Sequence, residues 1–414
     1  MRKSLFCAAT SLALTMGAVV PLDASASSAT AVVCGQTLTQ NTRLANDLVD
    51  CPGNGLIIGA DHITVDLGGH SVDGVNAAAS EGVSNDGHAG LRIQNGVITD
   101  FFANGVAVRN APRSTVRNLT IKRIGEGGVE GDASAGILLK ESAESTVTGN
   151  TVMNDVTAYQ SDGVDVLSSP RVLVATNRLT HNAWDGMFVL ASPDSRILGN
   201  RLDHSKNQGL EINAGSDSVQ VTGNIASNNA VSGIVVGALK NARINGNIFL
   251  DNGDAGLFLF DLLGSDVSGN SFTGNSVGLV LAAGQNGSIG NRLARNISSR
   301  NLLAGLVLDH AAGNTVVANV TNANQGRPGE GGGIVVIGAT GNTVTGNSAN
   351  LNLDVGVGVF QDAPGDSAGN TLTGNTANAN GAHGIDAVAG TIDGGGNTAH
   401  RNTPLPNCLG VACL

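Results

Sequence analysis

Between residues 159 and 211 the sequence gathers the groups best suited to proton transfer and to sugar binding. Asp162 and Asp165 lie three residues apart, Asp185 stands 23 residues after Asp162, and Glu211 stands 26 residues after Asp185. Neighbouring carboxyls can divide the work of general acid and general base. His181 and His204, also 23 residues apart, and Lys206 are candidate bases for a carbon-bound proton. Trp184 and Tyr159 are the only Trp and Tyr of the chain, and Lys140 is a further cation. Flat aromatic faces of this kind stack on the apolar face of a sugar ring. His181 and His204 are also two metal ligands with no third evident. No motif calls for a metal or another cofactor, although an opportunistic Ca²⁺ site among Asp162, Asp165 and Asp185 is chemically reasonable.

Those residues need a scaffold, and composition narrows it. The 414 residues include 59 Gly but only 13% charged and 3% aromatic residues, with a net charge of −11. So little charge excludes a coiled coil, and 41% hydrophobic content excludes a disordered acidic tail. The glycines do not recur every third residue, so collagen is excluded. An acidic balance argues against nucleic acid as a partner.

The strongest signal is a repeat of Gly, aliphatic, any residue, aliphatic. It appears twelve times, from Gly105-Val-Ala-Val through Gly163-Val-Asp-Val and Gly209-Leu-Glu-Ile to Gly384-Ile-Asp-Ala. Every position one and three after the glycine is apolar, the period-two pattern of a strand with one face in the core. A second ladder runs through Asn150, Asn177, Asn200, Asn224, Asn247, Asn270, Asn291, Asn319, Asn347 and Asn375. Three short strands and three turns per 22 to 28 residues make a solenoid coil. The expected fold is all-β, one parallel solenoid of about 12–13 coils, capped at both ends. A leucine-rich repeat lacks support because its Leu-x-x-Leu-x-Leu frame is missing, and a propeller because its aromatic signatures are.

Aligned on the glycine, the residue two places after it points outward. This places Asp165 and Glu211 on the outer face, followed by an apolar stripe from Val235 to Val335 with Phe258 at its centre. A stripe of that length calls for a cover, either long coil inserts or a second copy of the chain. Asp162 and Asp185 both immediately precede a glycine, so they stack about 5 Å apart at the backbone.

Over roughly residues 57 to 400 the repeat resembles the right-handed parallel β-helix family, whose members include pectin-, alginate- and chondroitin-active enzymes. The resemblance implies a secreted protein acting on an extracellular polysaccharide, as a hydrolase or as a lyase or epimerase. Within the acidic coils, Gln160-Ser161-Asp162-Gly163-Val164-Asp165 resembles the polygalacturonase motif Asn-Thr-Asp-Gly-Ile-Asp, and Trp184-Asp185 resembles that family's Asp-Asp pair. This implies Asp162 and Asp185 as acid and base, with Trp184 in place of a third acid. Asn207-Gln208-Gly209 stands where that family has Gly-His-Gly, and Val235-Val236-Gly237 where it has Arg-Ile-Lys. The alternative function is a non-catalytic extracellular β-helix that binds a glycan, a surface or itself.

Arg2 and Lys3, the apolar run from Leu5 to Val20 and the small residues Ala24-Ser25-Ala26 read as a secretory leader spanning 1–26. No membrane segment is expected after its removal. Cys34 and Cys51 lie near one end of the remaining chain, Cys408 and Cys413 near the other, and an oxidising compartment pairs each set locally. The expected organisation is an N-terminal cap over 27–56, the β-helix over 57–400 and a C-terminal cap over 401–414.

Overall fold

Glycine opens each strand of the main ladder because nothing larger fits there. A Cβ on Gly163 would lie 2.3 Å from the Gly186 carbonyl oxygen, one on Gly186 2.4 Å from that of Gly209, and one on Gly209 2.5 Å from that of Gly233. The glycines therefore form a stacked column through which the backbone of each coil approaches the next.

The computed structural model describes residues 28–125, 134–154, 161–326 and 331–414. The expected leader and Tyr159 lie outside the described residues. Each central coil gives one strand to each of three parallel ladders. The first carries the glycine-led strands, among them Ser161–Leu167, Met187–Leu190, Leu210–Ile212 and Ile234–Gly237. The second includes Leu173–Ala175 and Arg196–Leu198, the third Arg178–Thr180 and Arg201–Asp203. Nearer the N-terminus the second and third ladders merge into eight-residue strands, Arg92–Thr99 and Thr115–Lys122.

The apolar positions of each strand point inward and are sealed. Val164 and Val166, Met187 and Val189, and Leu210 and Ile212 are all at most 1% exposed. Among the described residues the first ladder has 16 strands, so at about 4.8 Å per rung it is about 70 Å long. This is about 15 turns, more than the twelve coils the glycine mark counts. The additional rungs lie at the ends. Gln36–Leu38, Leu56–Ile58 and Glu81–Asp86 precede the first marked coil, and Cys408–Leu409 follows the last. Ladder strands thus already occur within 27–56, and a final rung forms within 401–414.

Asparagine holds the corners. Asn247 accepts from the backbone N–H and the side-chain amide of Asn224 at 2.9 and 3.0 Å and donates to the Val221 carbonyl at 2.9 Å. The same pattern links Asn150 to Asn397 coil by coil. One expectation is corrected here: Asn296, not Asn291, bridges Asn270 and Asn319 in this column. Asn291 belongs to a separate corner ladder through Asn314, Asn342 and Asn370.

The apolar stripe is not bare. Val235, Phe258, Val280 and Val307 are half-buried and Val335 is only 6% exposed.

Both disulfides form as the spacing suggests, Cys34–Cys51 and Cys408–Cys413. Cys51 is sealed in the core while the first ladder's initial strand has a neighbour on one side only, so the 17-residue link should stabilise the N-terminal coils by about 3 kcal/mol. In a Cys34→Ser, Cys51→Ser variant, hydrogen exchange should accelerate in the strands before residue 75 and stay unchanged in coils beyond 134. Uniform acceleration along the rod would contradict this.

Candidate active site

Where the residue before a glycine is polar, its side chain can accept a hydrogen bond from a backbone N–H of the next coil. Asn54 does so for Glu81 at 2.9 Å, Asn104 for Ala135 at 3.1 Å, and Gln208 for Ser232 at 3.1 Å. Asp162 accepts from Asp185 N–H at 2.7 Å, and Asp185 from Gln208 N–H at 2.8 Å. Neutral amides perform this task elsewhere in the same column, so hydrogen bonding alone does not account for acids at 162 and 185.

The acids are also expensive where they stand. Asp162, Asp165 and Asp185 are 6%, 1% and 0% exposed. Glu81, a buried acid earlier in the same column, is compensated by a two-pronged Arg109 guanidinium. Among the described residues no salt bridge compensates Asp162, Asp165 or Asp185. Asp185 Oδ2 and Asp165 Oδ1 are buried with no hydrogen-bond partner. Nearby, both side-chain polar atoms of Asn182 and the Ser205 hydroxyl are equally orphaned, although later coils continue that corner as a complete Asn229–Asn252–Asn275 ladder. Unpaired buried polar atoms cost about 1–3 kcal/mol each and are rare in native proteins. Their concentration in these coils makes this the candidate site.

Protonation follows from this burial. Loss of solvent, reinforced by the Asp162 and Glu211 charges, pushes Asp185 up to about 9. Burial likewise raises Asp165 to about 7, against a hydrogen bond from Asp162 that lowers it. Asp162 is held well above the usual carboxylate range, first by burial and then by the Asp165 charge. At neutral pH Asp185 thus keeps its proton, and Asp162 is shifted toward its protonated form. Glu211 is the half-buried member, and its Oε1 accepts from Asn213 at 2.7 Å. Phe188 lies between Asp165 and Glu211 in the strand register and is half-buried.

The other sequence candidates divide among three places. His181 and His204 sit at left-handed corners, with rings stacked 4.6 Å apart, against a carboxylate that the motif search missed, Asp203. They share no hydrogen bond with the acid cluster among the described residues, although His181 and Asp185 lie on one connector, at most about 14 Å of extended chain apart. Trp184 is on that connector, 39% exposed, and Lys206 is exposed one coil on. Lys140 pairs with Leu167, five residues beyond the Ala135–Asp162 pairing but only two beyond the Leu138–Asp165 pairing, so it is remote from Asp162 and a diagonal neighbour of Asp165 in the register. The acids Asp162, Asp165 and Asp185 are not among the groups whose ligand atoms converge tightly enough to hold an ion; that group is His181, Asp203 and His204.

The repeat, the ladders and the glycine column are matched by a family model described as the right-handed beta helix region, over residues 129–272 and 262–412. The chain belongs to the right-handed β-helix family. This β-helix is similar to the periplasmic alginate epimerase AlgG, at 14% identity over 84% of this chain and 76% of that one, with a TM-score of 0.47. It is also similar to the A-module of the Azotobacter vinelandii mannuronan C-5 epimerase AlgE4, at 14% identity over 90% and 91% of the two chains, with a TM-score of 0.45. The catalytic domain of a GH87 α-1,3-glucanase is similar at 14% identity over 83% and 63%, with a TM-score of 0.38. No curated protein matches the sequence. Likeness at this level is one of fold.

Proposed function

We propose that this β-helix is a secreted enzyme that cleaves a polysaccharide, with Glu211 meeting the sugar and the buried aspartates managing its proton. The observation that supports this is a group of three buried acids with no salt bridge among the described residues, two of them at positions where amides do the same bonding elsewhere. Groups whose surroundings push them to hold protons near neutral pH are characteristic of acid–base sites. Glu211 is the accessible member, so it is the group placed to exchange a proton with a glycosidic oxygen or a water. Asp185, whose hold on its proton the Glu211 charge reinforces, is a positioning residue. Phe188 and the exposed Trp184 offer apolar faces for sugar rings.

The chain's net charge of −11 repels a polyuronate. A neutral glycan therefore suits the site better, and hydrolysis better than a lyase or epimerase reaction that must neutralise a uronate carboxylate. The secreted location is supported by the disulfides at both ends, which persist in oxidising compartments. A second reading, a non-catalytic binding β-helix, is favoured by the depth of Asp162, Asp165 and Asp185.

Glu211→Gln separates the two. On a panel of neutral and acidic polysaccharides, the native protein should release reducing ends from a neutral glycan. The variant should bind that glycan equally and turn it over at least about 100-fold more slowly. Binding without product from either protein supports the scaffold reading and ends this one, as does full activity in Glu211→Gln.

A further inference from the structure

Two successive coils carry the sequence Asn-Arg-Leu-x-His, as Asn177 to His181 and Asn200 to His204. The register lays Arg178 over Arg201 and Thr180 over Asp203. Both histidines take left-handed backbone angles, φ 54° and 59°, and their rings stack 4.6 Å apart with planes 3° from parallel. Beneath them Asp203 is fully buried. Its Oδ2 is held by Arg201 Nε and lies 3.4 Å from Arg178 Nη1. Its Oδ1 accepts the Thr180 hydroxyl and lies 3.4 Å from His204 Nδ1.

We propose that His181, His204 and Asp203 bind one divalent transition-metal ion, with Zn²⁺ the best match. One ligand atom from each residue lies within 4.8 Å of the other two, the sole His/Cys/Asp/Glu group of this kind among the described residues. An ion at the centre needs only sub-ångström shifts to reach Zn–N and Zn–O distances of about 2.0–2.2 Å. Two imidazoles and a carboxylate suit Zn²⁺ and its neighbours, whereas Ca²⁺ and Mg²⁺ require an all-oxygen shell. Parallel stacked rings direct their lone pairs side by side, so each ring must turn toward the ion. Both rings are exposed, which leaves them free of packing that would oppose the turn. The two arginines act from behind: they fix Oδ2 and leave Oδ1 on the histidine side, the outer-shell support that metal-bound carboxylates commonly have. Their positive charge also weakens binding, so the affinity expected is micromolar. Three protein ligands leave a position for water. This site is independent of the acid cluster and of any turnover there.

The test uses the full chain with Zn²⁺ in calorimetric titration and with Co²⁺ in visible absorption. The expected result is one Zn²⁺ per chain and Co²⁺ ligand-field bands that Zn²⁺ displaces. His181→Ala and His204→Ala should each weaken binding at least 10-fold, with unchanged circular dichroism. His310→Ala, which removes an exposed histidine paired with Asp309 elsewhere on the rod, should leave it unchanged. Absence of stoichiometric Zn²⁺ binding overturns the proposal, and so does binding that survives in the His181→Ala, His204→Ala double variant.

Discussion

Asp185→Asn should make the protein more stable at pH 8, by about 2 kcal/mol or more, while severely impairing turnover. The amide keeps the acceptor for the Gln208 N–H, as Gln208 itself does for Ser232. What it removes is the cost of ionisation. Folding holds the Asp185 proton to about pH 9, whereas the unfolded carboxyl releases it near 3.8. Between those values the unfolded chain binds fewer protons than the folded one, so the native protein loses stability as pH rises. Asn has no proton to lose, and its advantage should be absent near pH 3.5 and grow toward pH 9. Melting temperatures of both proteins at pH 3.5, 6 and 8 check this, each unit of pKa shift being worth about 1.4 kcal/mol. A variant less stable than the native protein at pH 8 would show that the acid has a structural role no amide fulfils. Sites that sacrifice stability for chemistry behave in the predicted way.

A larger effect of opposite sign is expected at the asparagine corners. Asn247→Ala should destabilise the rod by about 4 kcal/mol. The side chain is 1% exposed and engages Val221, Asn224 and Asn270, so its loss leaves a cavity and several buried groups unpaired. Each orphaned group costs about 1–3 kcal/mol, and the sum reaches the range reserved for broken buried networks. Because each coil contacts only its neighbours, damage should centre on residues 220 to 275. Limited proteolysis should find new cuts there first. Native-like resistance in Asn247→Ala would mean that strand pairing alone carries the coil.

The solenoid is legible because it repeats one physical constraint. Gly163, Gly186 and Gly209 are required by the carbonyl above each, and the apolar residues one and three places on must face inward. The asparagine column is legible for the same reason, but a Gly-Asn pair serves two different corners. Gly290-Asn291 therefore resembles the wrong ladder, while Asn296 follows Arg295, which takes the left-handed turn itself at φ 53°. The acids Asp162, Asp165, Asp185 and Glu211 are legible as departures at aligned positions. Their burial is not, because the outward direction of Asp165 in its strand does not reveal what covers it. Asp203 escapes notice because it ends a strand and looks like one more polar residue before a turn. The duplicated Asn-Arg-Leu-x-His would have pointed to it, since equal spacing in adjacent coils places both arginines beside residues 180 and 203.

The central claim is that the buried Asp185 carboxyl keeps its proton at neutral pH. Infrared difference spectroscopy of the native protein against Asp185→Asn at pH 7 tests it most directly. The account predicts a protonated-carboxyl C=O band at pH 7 that is absent from the variant and disappears from the native spectrum as pH passes about 9. A native protein whose carboxyls are all ionised at pH 7, with no such difference band, would contradict it.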